Sequence, residues 1–266
     1  MSTVARRAKT VTFYVVAGIA ALLTGLLTVG STVELTSASD PDLRLALIAH
    51  LPWLGLCWCA AFAAMLRHPA RRPAAYQQAL ATVVGLYVGG LLLARENDPI
   101  FYIGFGVVLI LLYLLHPARR SLLRPGRQGI SPLLVPVALV GAAPLTLYAT
   151  RMLDLHTDGV ADDGFYLGIA ATALAVPCVG LVAGLRADGY RLPLWTAGLT
   201  LAVLCLGSLT QSSGVASMPT PWALAGVVGG AAFVALGEWE RRHAAEIGAS
   251  AASSGTPRHD TPSVSR

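Results

Sequence analysis

Long uncharged runs, separated by short groups of charged residues, dominate this chain. Six runs of roughly 20 residues each lie between charged residues, and a seventh run is about twice as long. An α-helix needs about 20 mostly apolar residues to cross the hydrocarbon core of a bilayer. A charge at the bilayer centre costs about 2.5–3.5 kcal/mol on insertion scales, so membrane spans appear as intervals between charges. The runs cover residues 10–33, 45–66, 73–94, 99–118, 128–150, 164–185 and 192–237.

The longest run divides into two helices, because a polar and turn-forming stretch lies between Gln211 and Pro221. The sequence therefore predicts an all-α, polytopic membrane helix bundle with eight transmembrane helices. Segments of about ten alternating residues, which are typical of membrane β-barrels, are absent from the sequence. The predicted spans are 11–33, 45–66, 77–94, 99–116, 132–150, 164–185, 192–211 and 222–237, within a membrane domain of residues 1–247. Residues 248–266 are rich in Ala, Ser, Gly and Pro and are predicted to form a disordered cytoplasmic tail.

The charged residues predict the orientation of the bundle. Of the 19 Lys and Arg residues, 16 fall on one side of the predicted membrane, and nine of the 14 acidic residues fall on the other side. By the positive-inside rule, the basic side and both termini are cytoplasmic. The formal net charge of +5 thus reflects topology, and we expect no nucleic-acid partner.

Composition favours the same class of protein. Hydrophobic residues make up 55% of the chain and charged residues 12%, about half of the globular norm of roughly 25%. This balance excludes a disordered chain, a coiled coil and almost any soluble domain. Lys9 is the only lysine and Asn97 the only asparagine, and Ala, Arg and Gly are frequent. Lysine and asparagine have AT-rich codons, and their near absence is typical of a high-GC bacterial genome. We therefore expect a multi-pass protein of the bacterial cytoplasmic membrane.

One histidine, His50, lies well inside a predicted span. Ionisable residues within membrane spans are costly and usually mark functional sites, so His50 is a candidate functional residue. His50 is interpreted either as a proton or substrate group that faces a cavity, or as a neutral imidazole bonded to a carbonyl that Pro52 frees. Further candidates for a substrate or proton site lie near the outer face, at Arg95, Glu96, Asp98 and Tyr148.

The outer loop after the fifth span carries Asp154, His156 and Asp158 at alternate positions. Oxygen and imidazole ligands at that density could hold a divalent cation, although the spacing matches no established metal motif. A solvated acidic loop is the alternative interpretation. The chain has no nucleotide, hydrolase or metalloprotease motif and no carboxylate pair within a span, so we expect no cofactor and rank an enzyme last among the function classes.

The pentapeptide His-Pro-Ala-Arg-Arg occurs twice, 48 residues apart, at the cytoplasmic ends of the second and fourth predicted helices. Proline stops each helix, and the arginines then lie at the level of the lipid phosphates. Arg71, Arg72, Arg119 and Arg120 are therefore predicted to contact anionic lipid headgroups. The positive-inside rule alone also explains these arginines, and a duplication of helices 1–2 as helices 3–4 stays open.

Together with this layout, the stretch from His-Pro-Ala-Arg-Arg to Leu-Leu-Arg-Pro-Gly (116–126) and the motif Gly-Glu-Trp-Glu (237–240) resemble multi-pass membrane proteins of actinobacteria. The resemblance is one of pattern and composition over most of the chain, and it implies no activity.

Two functions remain in front. The first is transport or channelling of a small or lipid-like molecule through the bundle. The second is a non-enzymatic membrane subunit or sensor that acts through helix contacts with a protein partner or a second copy. A cavity lined by His50 and the prolines of the fifth helix would favour transport, whereas close Gly and Ala packing would favour the subunit.

Overall fold

The computed structural model describes residues 3–88, 100–119, 122–126, 129–157 and 165–254. Within these residues the chain is all-α and contains no strand. We number its eight helices in chain order: Thr3–Ser37 (α1), Pro41–Arg67 (α2), Pro73–Tyr87 (α3), Ile100–Leu115 (α4), Leu134–Thr157 (α5), Phe165–Gly184 (α6), Arg191–Thr210 (α7) and Thr220–Ser254 (α8).

Six of these helices, namely α1, α2 and α5 to α8, are long and apolar enough to cross a membrane. The other two are shorter over the described residues, and α4 contains a shorter apolar stretch, Ile103–Leu115. Residues 89–99, which connect α3 to α4, lie outside the described part of the chain. The predicted all-α fold is thus confirmed and the six long apolar helices are consistent with a membrane bundle, whereas the count of eight spans and the placement of the termini stay predictions.

Helix α6 lies at the centre of the bundle and packs against α2, α3, α5 and α7. Its span is the most buried of the six, whereas the spans of α1 and α8 are the most exposed. Helix α1 packs on α2 and α4, and α8 packs mainly on α7. In a bilayer the exposed apolar side chains of α1 and α8 would face lipid.

Small residues bring the helices together at Gly-xxx-Gly motifs, of which the sequence has Gly85-xxx-Gly89, Gly180-xxx-Gly184 and Gly226-xxx-Gly230. A Cβ added at Gly85 would meet the backbone of Ala175 on α6 at 2.8 Å, and one at Gly230 would meet the Gly198 carbonyl oxygen on α7 at 2.5 Å. Glycine alone allows backbones to approach so closely. The described glycines of these motifs therefore lie in close contact with a neighbouring helix, and Gly89 of the first motif lies outside the described residues.

The middle of α2 is a π-helical segment, Trp53–Cys59, between the α-helical segments Pro41–Pro52 and Ala60–Arg67. Gln78 of α3 supports it, since its amide nitrogen donates to the carbonyl oxygens of Leu56 at 2.8 Å and Cys57 at 3.2 Å. Widened turns of this kind leave carbonyls without regular helical partners, and a side-chain donor satisfies them.

Helix α8 continues to Ser254, well beyond the predicted span 222–237. The sequence after Trp239 is rich in Ala and Glu, which favour continuation of a helix once it has started. The helix therefore enters the segment that was predicted to be a disordered tail. Residues 255–266, the rest of that segment, lie outside the described residues.

Candidate functional site

Three side chains from two helices fix the loop between α7 and α8 at the predicted outer end of the bundle. The carboxylate of Asp42 accepts hydrogen bonds from the amides of Ala216 at 2.9 Å and Val215 at 3.2 Å. Tyr148 donates through its hydroxyl to the Ala216 carbonyl at 2.8 Å, and Arg151 donates to the Val215 carbonyl at 2.7 Å. The loop therefore has a defined position over the end of α5.

A groove of about 410 Å³ lies beneath this loop, between α5 on one side and α7 and α8 on the other. Its size falls within the usual range of ligand sites, roughly 300–1,000 Å³. A smaller cavity of about 110 Å³ lies between the same helices and shares Gly141, Leu145, Leu201 and Gly229 with it. Between Arg151 and Val137, which mark the two ends along α5, the helical rise gives a length of about 20 Å.

Glycines on α5 and α8 leave room for the groove between larger apolar side chains. A Cβ at Gly141 or at Gly229 would meet nothing within 4 Å, so both positions border open space. Pro144 on α5 adds a third residue without a long side chain, and α5 and α8 touch each other little. The exposed side chains of Leu147 and Trp222 line the groove, so it opens toward the lateral surface that would face lipid.

The groove is apolar along its length and polar at its outer mouth, where Arg151 and Tyr148 lie. Arg151 is exposed, and its described hydrogen bonds go to backbone carbonyls, those of Val215 and of Ser217 at 3.5 Å. Arg151 forms no ion pair with a described residue, since the carboxylate of Asp42 at the same loop binds the amides of Val215 and Ala216, and the guanidinium fork has further N–H donors to offer. Trp222, 60% exposed, lies beside it at the level where tryptophan meets lipid headgroups.

His50 lies elsewhere, in the interface between α2 and α6. Its ring is 5.9 Å from that of Trp53, and its Nε2 atom packs against Gly168 so closely that a Cβ there would overlap it. Within the described residues we find neither a hydrogen bond from the imidazole to a backbone carbonyl nor a place for His50 in the lining of the groove. Both interpretations of His50 stay predictions, and the contact with Gly168 is the new fact that bears on them.

The other predicted site residues are divided between described and undescribed parts of the chain. Asp154 and His156 lie in the last two turns of α5, and each has an interaction partner. No group of three potential metal ligands occurs among the described residues. The remaining candidates at this end and at the second pentapeptide lie outside the described residues: Arg95, Glu96, Asp98, Arg120 and Asp158.

At the predicted cytoplasmic end, two acidic residues of α8 organise the basic loops. Glu240 forms an ion pair with Arg186 at 2.5 Å and accepts a hydrogen bond from Ser131 at 2.7 Å. Glu238 accepts from Arg191 at 2.7 Å, from Arg241 at 2.8 Å and from the Trp195 indole at 3.0 Å. Of the arginines predicted to contact lipid headgroups, Arg71 and Arg119 are exposed and Arg72 is half-buried.

The sequence pointed to Tyr148 as a substrate or proton candidate and to Arg72 as a headgroup contact, and both roles stay predictions. It did not indicate Asp42, Arg151, Gln78 and Glu240 as residues that organise the loops and helices. Gln77 and Gln78 were visible as two adjacent amides within an apolar run, but a search for intervals between charges passes over uncharged polar residues. The partners of Asp42 lie 173 and 174 residues away along the chain, so no local pattern could have indicated them.

Comparisons with protein-family models, with curated proteins and with solved structures find no match for this chain, so its function is inferred from the groove and the bundle themselves.

Proposed function

We propose that this protein binds a lipid-like amphiphile, with an acyl chain in the groove between α5 and α8 and an anionic head at Arg151, as part of moving or presenting that molecule within the membrane. The observation that carries the proposal is the shape of the site: an apolar groove of about 410 Å³, open to the lateral surface, with a cation and a tryptophan at its outer mouth. An acyl chain fits such a groove, whereas a hydrated ion or sugar would gain little from it.

The proposal includes the predicted topology: eight spans in the bacterial cytoplasmic membrane, with both termini in the cytoplasm. Contacts between segments that the charge pattern assigns to the same side of the membrane support this topology. Asp42 and Arg151, from two predicted outer segments, both bind the outer loop at Val215, and Arg72 packs beside Gly189 at the other end. Under this orientation the mouth of the groove lies in the outer leaflet.

A non-enzymatic subunit or sensor is the second candidate, and the close packing around α6 favours it. Gly85 meets the backbone of α6, and Gly168 meets the His50 ring, so the centre of the bundle offers little space for a polar path. A molecule that enters from the side needs no such path, and for this reason a lateral lipid site fits the packing better than a central channel.

The test uses a photoactivatable fatty acid added to the full-length protein in detergent micelles or in vesicles. We expect cross-links to concentrate on the α5 and α8 peptides that contain Gly141 and Gly229. Gly229→Phe should fill the groove and reduce cross-linking at α5 about tenfold. Gly18→Phe is the matched control, because a Cβ at Gly18 also meets nothing within 4 Å, and it should leave cross-linking unchanged because α1 does not line the groove. A tenfold change corresponds to about 1.4 kcal/mol of binding free energy.

The head-group part of the proposal is tested separately with Arg151→Gln, and Arg44→Gln, an exposed arginine at the same end, is the matched control. Removal of the Arg151 charge should weaken the fatty acid but not an uncharged fatty alcohol probe. Cross-links spread evenly over all lipid-facing helices, unchanged by Gly229→Phe, would contradict the site.

A further inference from the structure

A second cavity, at the opposite end of the bundle, has the composition of an anion site. It has a volume of about 350 Å³ and is lined by residues of three segments that are far apart in sequence: the start of α3, the turn between α6 and α7 with the start of α7, and the cytoplasmic part of α8. Its lining includes three arginines, Arg72, Arg191 and Arg241.

The turn between α6 and α7 gives this cavity its shape. Gly189 has a positive φ of 87°, a conformation that favours glycine, and its Cα region packs on Arg72, where a Cβ would lie 3.4 Å from the Arg72 side chain. The neighbouring carbonyl of Asp188 accepts a hydrogen bond from the amide of Ala74 at 3.3 Å. The contact of Gly189 with Arg72 and the hydrogen bond of Ala74 therefore hold this part of the chain against the turn.

The charges in the cavity do not balance. Glu238 pairs with Arg191 and Arg241 through the Nε atom of each guanidinium group, so it does not occupy their terminal nitrogens. Arg72 has no carboxylate partner among the described residues, and the side chain of Asp188, the nearest other acid in the turn, is exposed. Three arginines line the cavity, Glu238 pairs with two of them, and the neighbouring Glu240 is paired with Arg186, so the lining carries an excess positive charge.

The hydroxyl of Tyr190 is an independent sign that a polar group belongs in the cavity. Tyr190 lines the cavity and is only 9% exposed, and its buried hydroxyl has no hydrogen-bond partner in the described structure. Buried hydroxyls in folded proteins nearly always have a partner, and each exception asks for an explanation. Burial raises the pKa of Tyr190 against the lowering effect of Arg186 and Arg241, so the hydroxyl stays protonated and can donate.

We propose that this cavity binds a phosphate group through Arg72, the terminal nitrogens of Arg191 and Arg241, and the Tyr190 hydroxyl. Arginine forks match phosphate oxygens in geometry, and a tyrosine hydroxyl adds a neutral donor. The phosphate is carried either by an inner-leaflet phospholipid headgroup or by a soluble phosphate compound in the cytoplasm. The site goes beyond the lipid groove, since the two lie at opposite ends of the bundle and share no residue.

The experiment compares full-length protein in its wild-type form with Tyr190→Phe and Arg72→Gln, and with Arg242→Gln as the matched control. Arg242 follows Arg241, carries the same charge, is exposed and does not line the cavity. Native mass spectrometry counts molecules of phosphatidylglycerol, or of phosphatidylcholine, that stay bound. Thermal unfolding with inorganic phosphate, and with chloride at equal ionic strength, measures binding of the soluble anion.

We expect one molecule of phosphatidylglycerol to be retained, about tenfold more weakly in Arg72→Gln and about threefold more weakly in Tyr190→Phe, with Arg242→Gln close to wild type. Retention of phosphatidylglycerol without stabilisation by inorganic phosphate assigns the site to a lipid headgroup. Stabilisation by inorganic phosphate that Tyr190→Phe and Arg72→Gln reduce assigns it to a soluble phosphate. Equal losses in Arg242→Gln and Arg72→Gln would reduce the effect to surface charge and overturn the site. Tyr190→Phe keeps the ring, so a well-folded Tyr190→Phe variant with unchanged binding would overturn it as well.

Discussion

Glycine has opposite consequences in two regions of this bundle. Where α3 crosses α6, the missing side chain of Gly85 is replaced by the backbone of the neighbouring helix, and the region is closed. Where α5 faces α8, Gly141 and Gly229 have nothing opposite them, and the region is an open groove. Both regions are rich in small residues, so the comparison teaches that glycine content predicts close approach only when a partner helix is in register.

The largest effect that this comparison predicts is a difference between two identical substitutions. Gly85→Leu places a side chain where the backbone of Ala175 would lie 2.8 Å from its Cβ, and we expect a loss of stability of at least about 3 kcal/mol because the helices must separate. Gly141→Leu enters open space, and we expect a change within about 0.5 kcal/mol.

Thermal unfolding in detergent, followed by circular dichroism and by size-exclusion profiles, measures the difference. Equal destabilisation by the two variants would mean that the groove closes in solution, and the contrast between the regions would be lost.

The sequence predicts the closed region better than the open one, and the reason is physical. Charges bound the apolar intervals of the chain, although α1 and α8 continue past them, and Gly-xxx-Gly spacing indicates which helix faces permit contact. Neither signal says which helices are neighbours. The groove depends on α5 and α8 lying side by side with little contact, and on Asp42 holding a loop more than 170 residues away.

The π-helical segment shows the same limit. Pro52 marks a local irregularity in α2, but the sequence around it reads as an ordinary apolar span. The support comes from Gln78, a residue on another helix, and tertiary contacts of this kind cannot be deduced from local spacing.

A middle-sized effect should come from that support. Gln78→Met keeps the length of the side chain and removes the donor, so the carbonyls of Leu56 and Cys57 lose their buried partner. We expect a loss of about 1–3 kcal/mol, the usual cost of leaving buried polar groups without hydrogen bonds. Gln77→Met is the comparison, since Gln77 donates at 2.6 Å to the Leu122 carbonyl in the loop after α4 and not to α2.

Hydrogen exchange separates the two variants. Gln78→Met should speed exchange of the amides in Trp53–Cys59, and Gln77→Met should leave that segment unchanged. If both variants change only the loop after α4, Gln78 does not support the π-helical segment.

The smallest effect concerns His50, and it decides what the closed region is for. The Nε2 atom of His50 occupies the space next to Gly168, so Gly168→Ala should destabilise the protein by about 1–2 kcal/mol. His50→Ala should remove the overlap, and in the double variant we expect the Gly168→Ala penalty to fall by about 1 kcal/mol, a coupling typical of side chains in contact. His50→Leu alone should then cause only a small loss of stability, because an apolar side chain can pack in the same interface between α2 and α6.

Thermal unfolding of the four members of the cycle measures the coupling, and the photoactivatable fatty acid measures binding in His50→Leu. Absence of coupling would mean that the imidazole does not pack against Gly168. Loss of fatty-acid binding in a well-folded His50→Leu protein would connect this histidine to the lipid groove. The proposed function would then change from lateral binding to transport through the bundle.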